Sequence, residues 1–463
     1  MQSNKTTSTK ETKRERILTA PILPLLIRMS IPTIIGMLIM TIYNLTDTYF
    51  IGLLENKSMT AAIGIAFSLV SFIQALGFWF GYGSGNTMSR ALGAKEEKQA
   101  EVISSTGLVL ATITGLILTV SLLPFCRPLA AFLGGNASED LLKYSTDYIR
   151  IILLSVPFSI YATALYNQLR LCGNTKDAML GLMSGMLLNM ILDPILIFPC
   201  NMGFIGAGWA TFAGQVAGAS LLTFLSFKNG NIPVSFTKAK LSGSNLYHIL
   251  LGGAPNFSRQ GITSVAAILL NMAAAAYGEE TIAAMTVASR IAAMVYMIVI
   301  GWGQGFQPIC AMNYGAGKTD RVKKALTLSA LIGTVFLILA DIPLFLFAEP
   351  VVSLLTKNAE VAEPAVTILR LQCLSLPLMG LYALSSMFMQ NIGRYYTALI
   401  ISVSRQGLFY IPLLFILPAL FGAHNPLGIY LVQPAADLFA FLCGLILALP
   451  AYQKLQDLSH TML

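Results

Sequence analysis

The chain has 463 residues, 56% of them hydrophobic and only 11% charged, with a formal net charge of +8. A soluble domain carries about 25% charged residues, so this composition excludes a water-soluble globular protein. A spanning helix takes roughly 20 apolar residues, so twelve take roughly 240–300; short loops and a tail account for the rest and leave no room for a separate soluble domain.

Residues 1–20 are polar and basic and read as a cytoplasmic tail. The apolar stretch behind them is too long for a signal peptide and contains Pro32, Asn44 and Asp47, so no cleavage is expected. Twelve apolar segments follow, near 25–53, 59–88, 99–124, 141–169, 177–199, 203–227, 245–276, 280–312, 322–347, 362–390, 396–418 and 427–452. Twenty of the 29 lysines and arginines, Arg170 among them, fall in the tails and alternate loops of one side. Four fall on the other side and five inside spans. This alternation places both termini in the cytoplasm and accounts for the basic charge without nucleic acid. The six cysteines are scattered, with no CxxC pair, and suggest no disulfide framework.

Two halves are visible. A shift of 222 lays Gly81, Gly83 and Gly93 on Gly303, Gly305 and Gly315; a shift of 220 lays Arg150, Pro157 and Gly173 on Arg370, Pro377 and Gly393; Pro32 meets Pro255 at 223. Because each half has six spans, both enter from the same side and the repeats are parallel. The expected fold is therefore all-α and membrane-integral, twelve transmembrane helices in two six-helix pseudo-symmetric lobes. The lobes are 21–228 and 245–452, joined by a basic loop at 229–244, with a second tail at 453–463.

Ionisable groups inside spans are costly, so each is a candidate site. In the first span Tyr43 and Asp47 are four apart and share a helix face. In the fifth, Asn189 and Asp193 repeat that spacing, and Pro194 frees the carbonyl of Met190 one turn back. Thr211 in the sixth span and Asn167 at the end of the fourth can add oxygens. Two carboxylates with amide, hydroxyl and phenol groups suit a hard cation or a shared proton; the alternative is that they only fix packing. Asp437 in the last span is a candidate second polar site with Arg259 and Gln260, or an ion-pair partner of Arg405 or Arg259. Asp341 reads as interfacial. Gln304 and Gln307, in a glycine-rich stretch of the eighth span, are candidate cavity residues. No HExxH, GxSxG or paired cysteine ligands appear, so no enzyme and no cofactor are expected.

Tyr43 through Gly52 resembles the first-helix signature of the multidrug and toxic compound extrusion (MATE) family. Asn189 through Pro194 resembles its fifth-helix motif. Gly303 through Pro308, followed by Asn313 through Ala316, resembles the eighth-helix motif of its MepA-like branch. The resemblance spans residues 20–452. It implies that the two six-helix lobes surround a central cavity, in a monomeric antiporter of the bacterial inner membrane that exports cationic or amphipathic organic compounds against inward Na+ or H+. It also implies a coupling site at Asp47, Asn189, Asp193 and Thr211, with Tyr43 nearby and Asn167 in its network. Other branches carry acids in the seventh and tenth spans, where this chain has Arg259, Gln260, Gln372 and Gln390. The alternative within the same broad superfamily is a flippase of lipid-linked precursors; a channel is a third class.

Overall fold

The computed structural model describes residues 13–54, 56–228, 231–274, 277–422 and 425–460. Every regular element among them is helical. Twelve long helices follow in order: α1 Ile22–Gly52, α2 Lys57–Gly93, α3 Glu97–Leu122, α4 Glu139–Leu171, α5 Thr175–Ile197, α6 Phe204–Ser226, α7 Gly243–Ala274, α8 Glu279–Gly315, α9 Thr319–Leu346, α10 Ala359–Asn391, α11 Tyr395–Phe421 and α12 Val432–His460. Ten of the described helices are long and apolar enough to cross a membrane. The repeat is present in detail. Short helices at Cys126–Phe132 and Ala348–Ser353 precede α4 and α10. Both α4 and α10 end on a left-handed glycine, Gly173 (φ 84°) and Gly393 (φ 83°). The amides just beyond, of Asn174 and Arg394, reach back to the carbonyls of Leu169 and Met389 and close the helix ends.

The chain folds into two compact units whose division differs from the repeat boundary. One is built chiefly from Ile35–Phe257; the other contains Pro21–Ile34 and the chain from Ser258 onward. In the first unit α4 is the central helix, packed on α2, α3 and α6; in the second α10 packs on α8, α9 and α12. The exchange of helix beginnings rests on glycine. In the first unit, a Cβ on Gly83 would sit 2.8 Å from the carbonyl carbon of Ile249, and one on Gly253 2.7 Å from that of Trp79. The Trp79 indole also donates to Leu250 O (2.7 Å) and stacks on Phe257. In the second unit, a Cβ on Gly301 would lie 2.7 Å from Ile34 Cα, and one on Gly305 2.6 Å from Ser30 N. Thr33 and Ser30 hydroxyls donate to the carbonyls of Gly301 and Trp302 there. Only glycine lets helix backbones approach this closely.

Two charged side chains lie elsewhere than their sequence positions suggest. Arg170 is not a loop residue. It is fully buried in the last turn of α4, its guanidinium 5.0 Å from the Tyr82 ring centre and donating to Asn167 Oδ1. Asp341 is not interfacial but 6% exposed. α9 runs on to Leu346 and turns this carboxyl inward, where neither oxygen has a hydrogen-bond partner. Its repeat equivalent, Thr119, donates to Leu153 O at 2.7 Å. An unpartnered buried polar group costs about 1–3 kcal/mol, so Asp341→Thr is expected to raise the thermal midpoint of the purified protein. A lowered midpoint would show that the carboxyl has a partner in the folded protein.

Candidate functional site

In the first unit, small residues bring α5 and α6 together. A Cβ on Gly185 would lie 2.6 Å from Gly214 O, and one on Gly214 2.6 Å from Gly185 O. That approach places Asn189, one turn beyond Gly185, against Thr211, one turn before Gly214. Asn189 Nδ2 donates to Thr211 Oγ1 at 3.2 Å. Asn189 Oδ1 is buried with no hydrogen-bond partner. Asp193, the next turn of the same face, is completely buried. Oxygen atoms of an amide, a hydroxyl and a carboxylate are the donors a hard cation takes. Tyr43 is half-buried on α1; the side chain of Asp47 lies outside the described residues. Asn167 serves a different cluster, donating to Thr163 O and accepting from Arg170. Among the described residues no group of three His, Cys, Asp or Glu could hold a metal ion.

The second unit has its own buried polar group. Asp437 Oδ1 accepts from Arg405 Nε (2.7 Å) and Gln433 Nε2 (2.6 Å), and Oδ2 from Ser375 Oγ (3.0 Å). Arg405 stands at the start of a π-helical turn, Ser404–Tyr410, which interrupts α11. No sequence signal marks that turn, and such turns recur at functional sites. Arg405 also lies over the Tyr296 ring at 5.4 Å. Arg259 and Gln260 are half-buried on α7, and Gln304 and Gln307 are buried on α8. The Arg405–Asp437 pair tests directly. Asp437→Leu strands the half-buried Arg405 guanidinium inside the span and is expected to lower the thermal midpoint, whereas Asp437→Leu with Arg405→Met recovers most of the loss. Equal thermal midpoints for the single and double variants would contradict this pairing.

The MatE family model matches residues 32–195 and 257–416, which include both α5 with its buried carboxylate and the second half of the repeat. The chain belongs to the MatE family. Its MatE relatives include the multidrug export protein MepA of Staphylococcus aureus strain MSSA476, 32% identical over 436 residues and covering 94% of each chain. The MepA of Staphylococcus haemolyticus strain JCSC1435 is 31% identical over 418 residues, covering 90% of this chain and 91% of its own. The fold matches an outward-facing multidrug resistance MATE transporter of the MOP superfamily, with TM-score 0.89 at 24% identity over 96% of this chain and 98% of that one. A MOP superfamily transporter from Pyrococcus furiosus matches with TM-score 0.88 at 24% identity, over 95% and 98%. This MatE chain is thus a multi-pass membrane protein of two related halves.

Proposed function

We propose that the chain is a secondary active antiporter that exports cationic or amphipathic organic compounds in exchange for inward Na+ or H+, with both termini cytoplasmic. The observation that carries this reading is the buried α5–α6 constellation, Asn189, Asp193 and Thr211, with an amide oxygen left unpartnered. The names of the MepA relatives support the substrate class. Asp193 supplies a negative charge that either a proton or a sodium ion neutralises, and Asn189 and Thr211 supply neutral oxygens beside it. The family resemblance assigns Tyr43 and Asp47 on α1 to the same site. Coupling requires that the loaded and empty site favour different states of the protein. The membrane potential adds about 2.3 kcal/mol per charge per 100 mV, which drives uphill export.

Ethidium uptake into everted vesicles, with proton and sodium gradients imposed separately, tests this and names the ion. Uphill uptake under one gradient, lost in Asp47→Asn, is the expected result. No uptake under either gradient would leave the flippase of lipid-linked precursors as the better reading.

A further inference from the structure

We propose that Asp341 is a proton-binding site of the second unit, independent of what the chain exports: it is held as the neutral acid, and its O–H donates to the main-chain carbonyl of Cys373 on α10. The bond exists only while the proton is bound. The register of α9 against α10 brings the two together. A Cβ on Gly380 would lie 3.8 Å from the carbonyl carbon of Gly333 and 3.1 Å from Leu337 Cδ1. Leu337 also packs with Leu376 in one buried apolar cluster. Gly333, Leu337 and Asp341 follow one another four apart along one face of α9, while their partners count backwards along α10. Asp341 therefore faces the turn before Leu376, at Gln372 and Cys373. The first half of the chain makes the same pairing directly. Thr119 and Leu153 stand at the repeat positions of Asp341 and Cys373, by the shifts of 222 and 220, and Thr119 Oγ1 donates to Leu153 O at 2.7 Å.

Proline explains why that carbonyl needs a donor. Pro157 lacks the N–H that would bond Leu153 O within α4, and Pro377 likewise leaves Cys373 O without its helical donor in α10. In the first half a threonine hydroxyl fills the vacancy. In the second the repeat position holds Asp341, which donates only when protonated. Its surroundings favour that form. Asp341 is buried and no hydrogen-bond partner reaches either oxygen. Gln372 Oε1, at the same turn, is also buried and unpartnered, so the turn gathers acceptors that no donor reaches. The charged groups on the neighbouring elements are engaged elsewhere or lie in the open. Arg370, one turn before Cys373, bonds Phe345 O and Glu349 of the short helix Ala348–Ser353. On α12, Asp437 is held by Arg405. On α8, Arg290 is exposed. The Cys373 thiol is the other titratable group at the turn, and it brings no positive charge. A carboxylate buried away from any cation takes up a proton instead of staying charged.

The test uses the full-length protein in phosphatidylcholine nanodiscs. The infrared difference spectrum of wild type minus Asp341→Asn at about pH 7.5 is expected to show one carboxylic-acid C=O band, which moves to lower frequency in D2O. Absence of that band would overturn the proposal, because a carboxylate absorbs elsewhere. Thermal midpoints give a second readout. An aspartate in the unfolded chain ionises at about pH 4, so a folded state that keeps the proton loses stability as pH rises above that value. Asp341→Thr has no such proton to hold. Its midpoint minus that of wild type is therefore expected to increase steadily from about pH 5 to about pH 8. A difference that stays constant over that range would overturn the proposal. Asp341→Asn reads the same titration should the threonine variant fail to fold. Replacing sodium by choline is expected to affect wild type and Asp341→Asn alike. A sodium-dependent midpoint present in wild type and absent in Asp341→Asn would put a metal cation in place of the proton and overturn the proposal.

Discussion

Asp193→Asn is expected to reduce gradient-driven ethidium accumulation to the level reached with no gradient. The substitution keeps the size and shape of the side chain but removes the charge that a proton or sodium ion neutralises. Asn189 and Thr211 then offer only neutral oxygens, already partly used on each other at 3.2 Å. Folding should survive, because Asp193 is fully buried on α5 and a neutral amide is easier to hold in a span than a carboxylate. Vesicle uptake and the thermal midpoint of the purified variant, read together, decide the matter. Full accumulation by a well-folded Asp193→Asn protein would remove α5 from the coupling mechanism. Loss of both accumulation and stability would assign Asp193 to packing, the alternative that its spacing with Asn189 leaves open.

The largest structural effect is expected from a single methyl group. Gly253→Ala places a Cβ 2.7 Å from the carbonyl carbon of Trp79, and Gly83→Ala places one 2.8 Å from that of Ile249. Both neighbours are helix backbone, which cannot rotate out of the way as a side chain would. Overpacking of a tight contact costs about 1–3 kcal/mol and more where backbone must move. Either variant should lower the thermal midpoint sharply or abolish the monodisperse peak in size-exclusion chromatography. Gly305→Ala should do the same in the second unit, because its Cβ meets Ser30 backbone 2.6 Å away. Gly64→Ala is the control: it lies on α2 with nothing within 4 Å of the added carbon. If Gly253→Ala and Gly64→Ala behave alike, the exchanged helix beginnings are not held by close backbone contact.

The membrane-spanning character, the twelve helices and the doubling were legible in the residues alone. Charge scarcity and alternation of basic loops are properties of composition and order, and they do not depend on which helix touches which. The repeat extends to structural detail because Gly173 and Gly393 each perform the same left-handed termination. Asn189 and Asp193 were legible as well, since a spacing of four fixes a shared helix face. Their meeting with Thr211 is a different kind of fact. It depends on Gly185 and Gly214 bringing two backbones together, and small residues in a span announce close packing without naming the partner.

Other placements were decided only in three dimensions. Arg170 sits one residue before the end of a span, where sequence reads a loop. Tyr82 from α2 and Asn167 from one turn back make its burial tolerable. Asp341 faces inward because α9 keeps its helical phase to Leu346, and phase at a helix end is set by packing. The beginnings of α1 and α7 belong to units other than those of their repeats, because matching glycines at 83 and 305 accept a backbone and sequence does not say whose. The sequence by itself determined the solvent this protein folds in, its helices and its duplication, because these follow from local composition and periodicity. Tertiary structure alone decided which polar side chains share a site, since that turns on contacts between helices far apart in the chain.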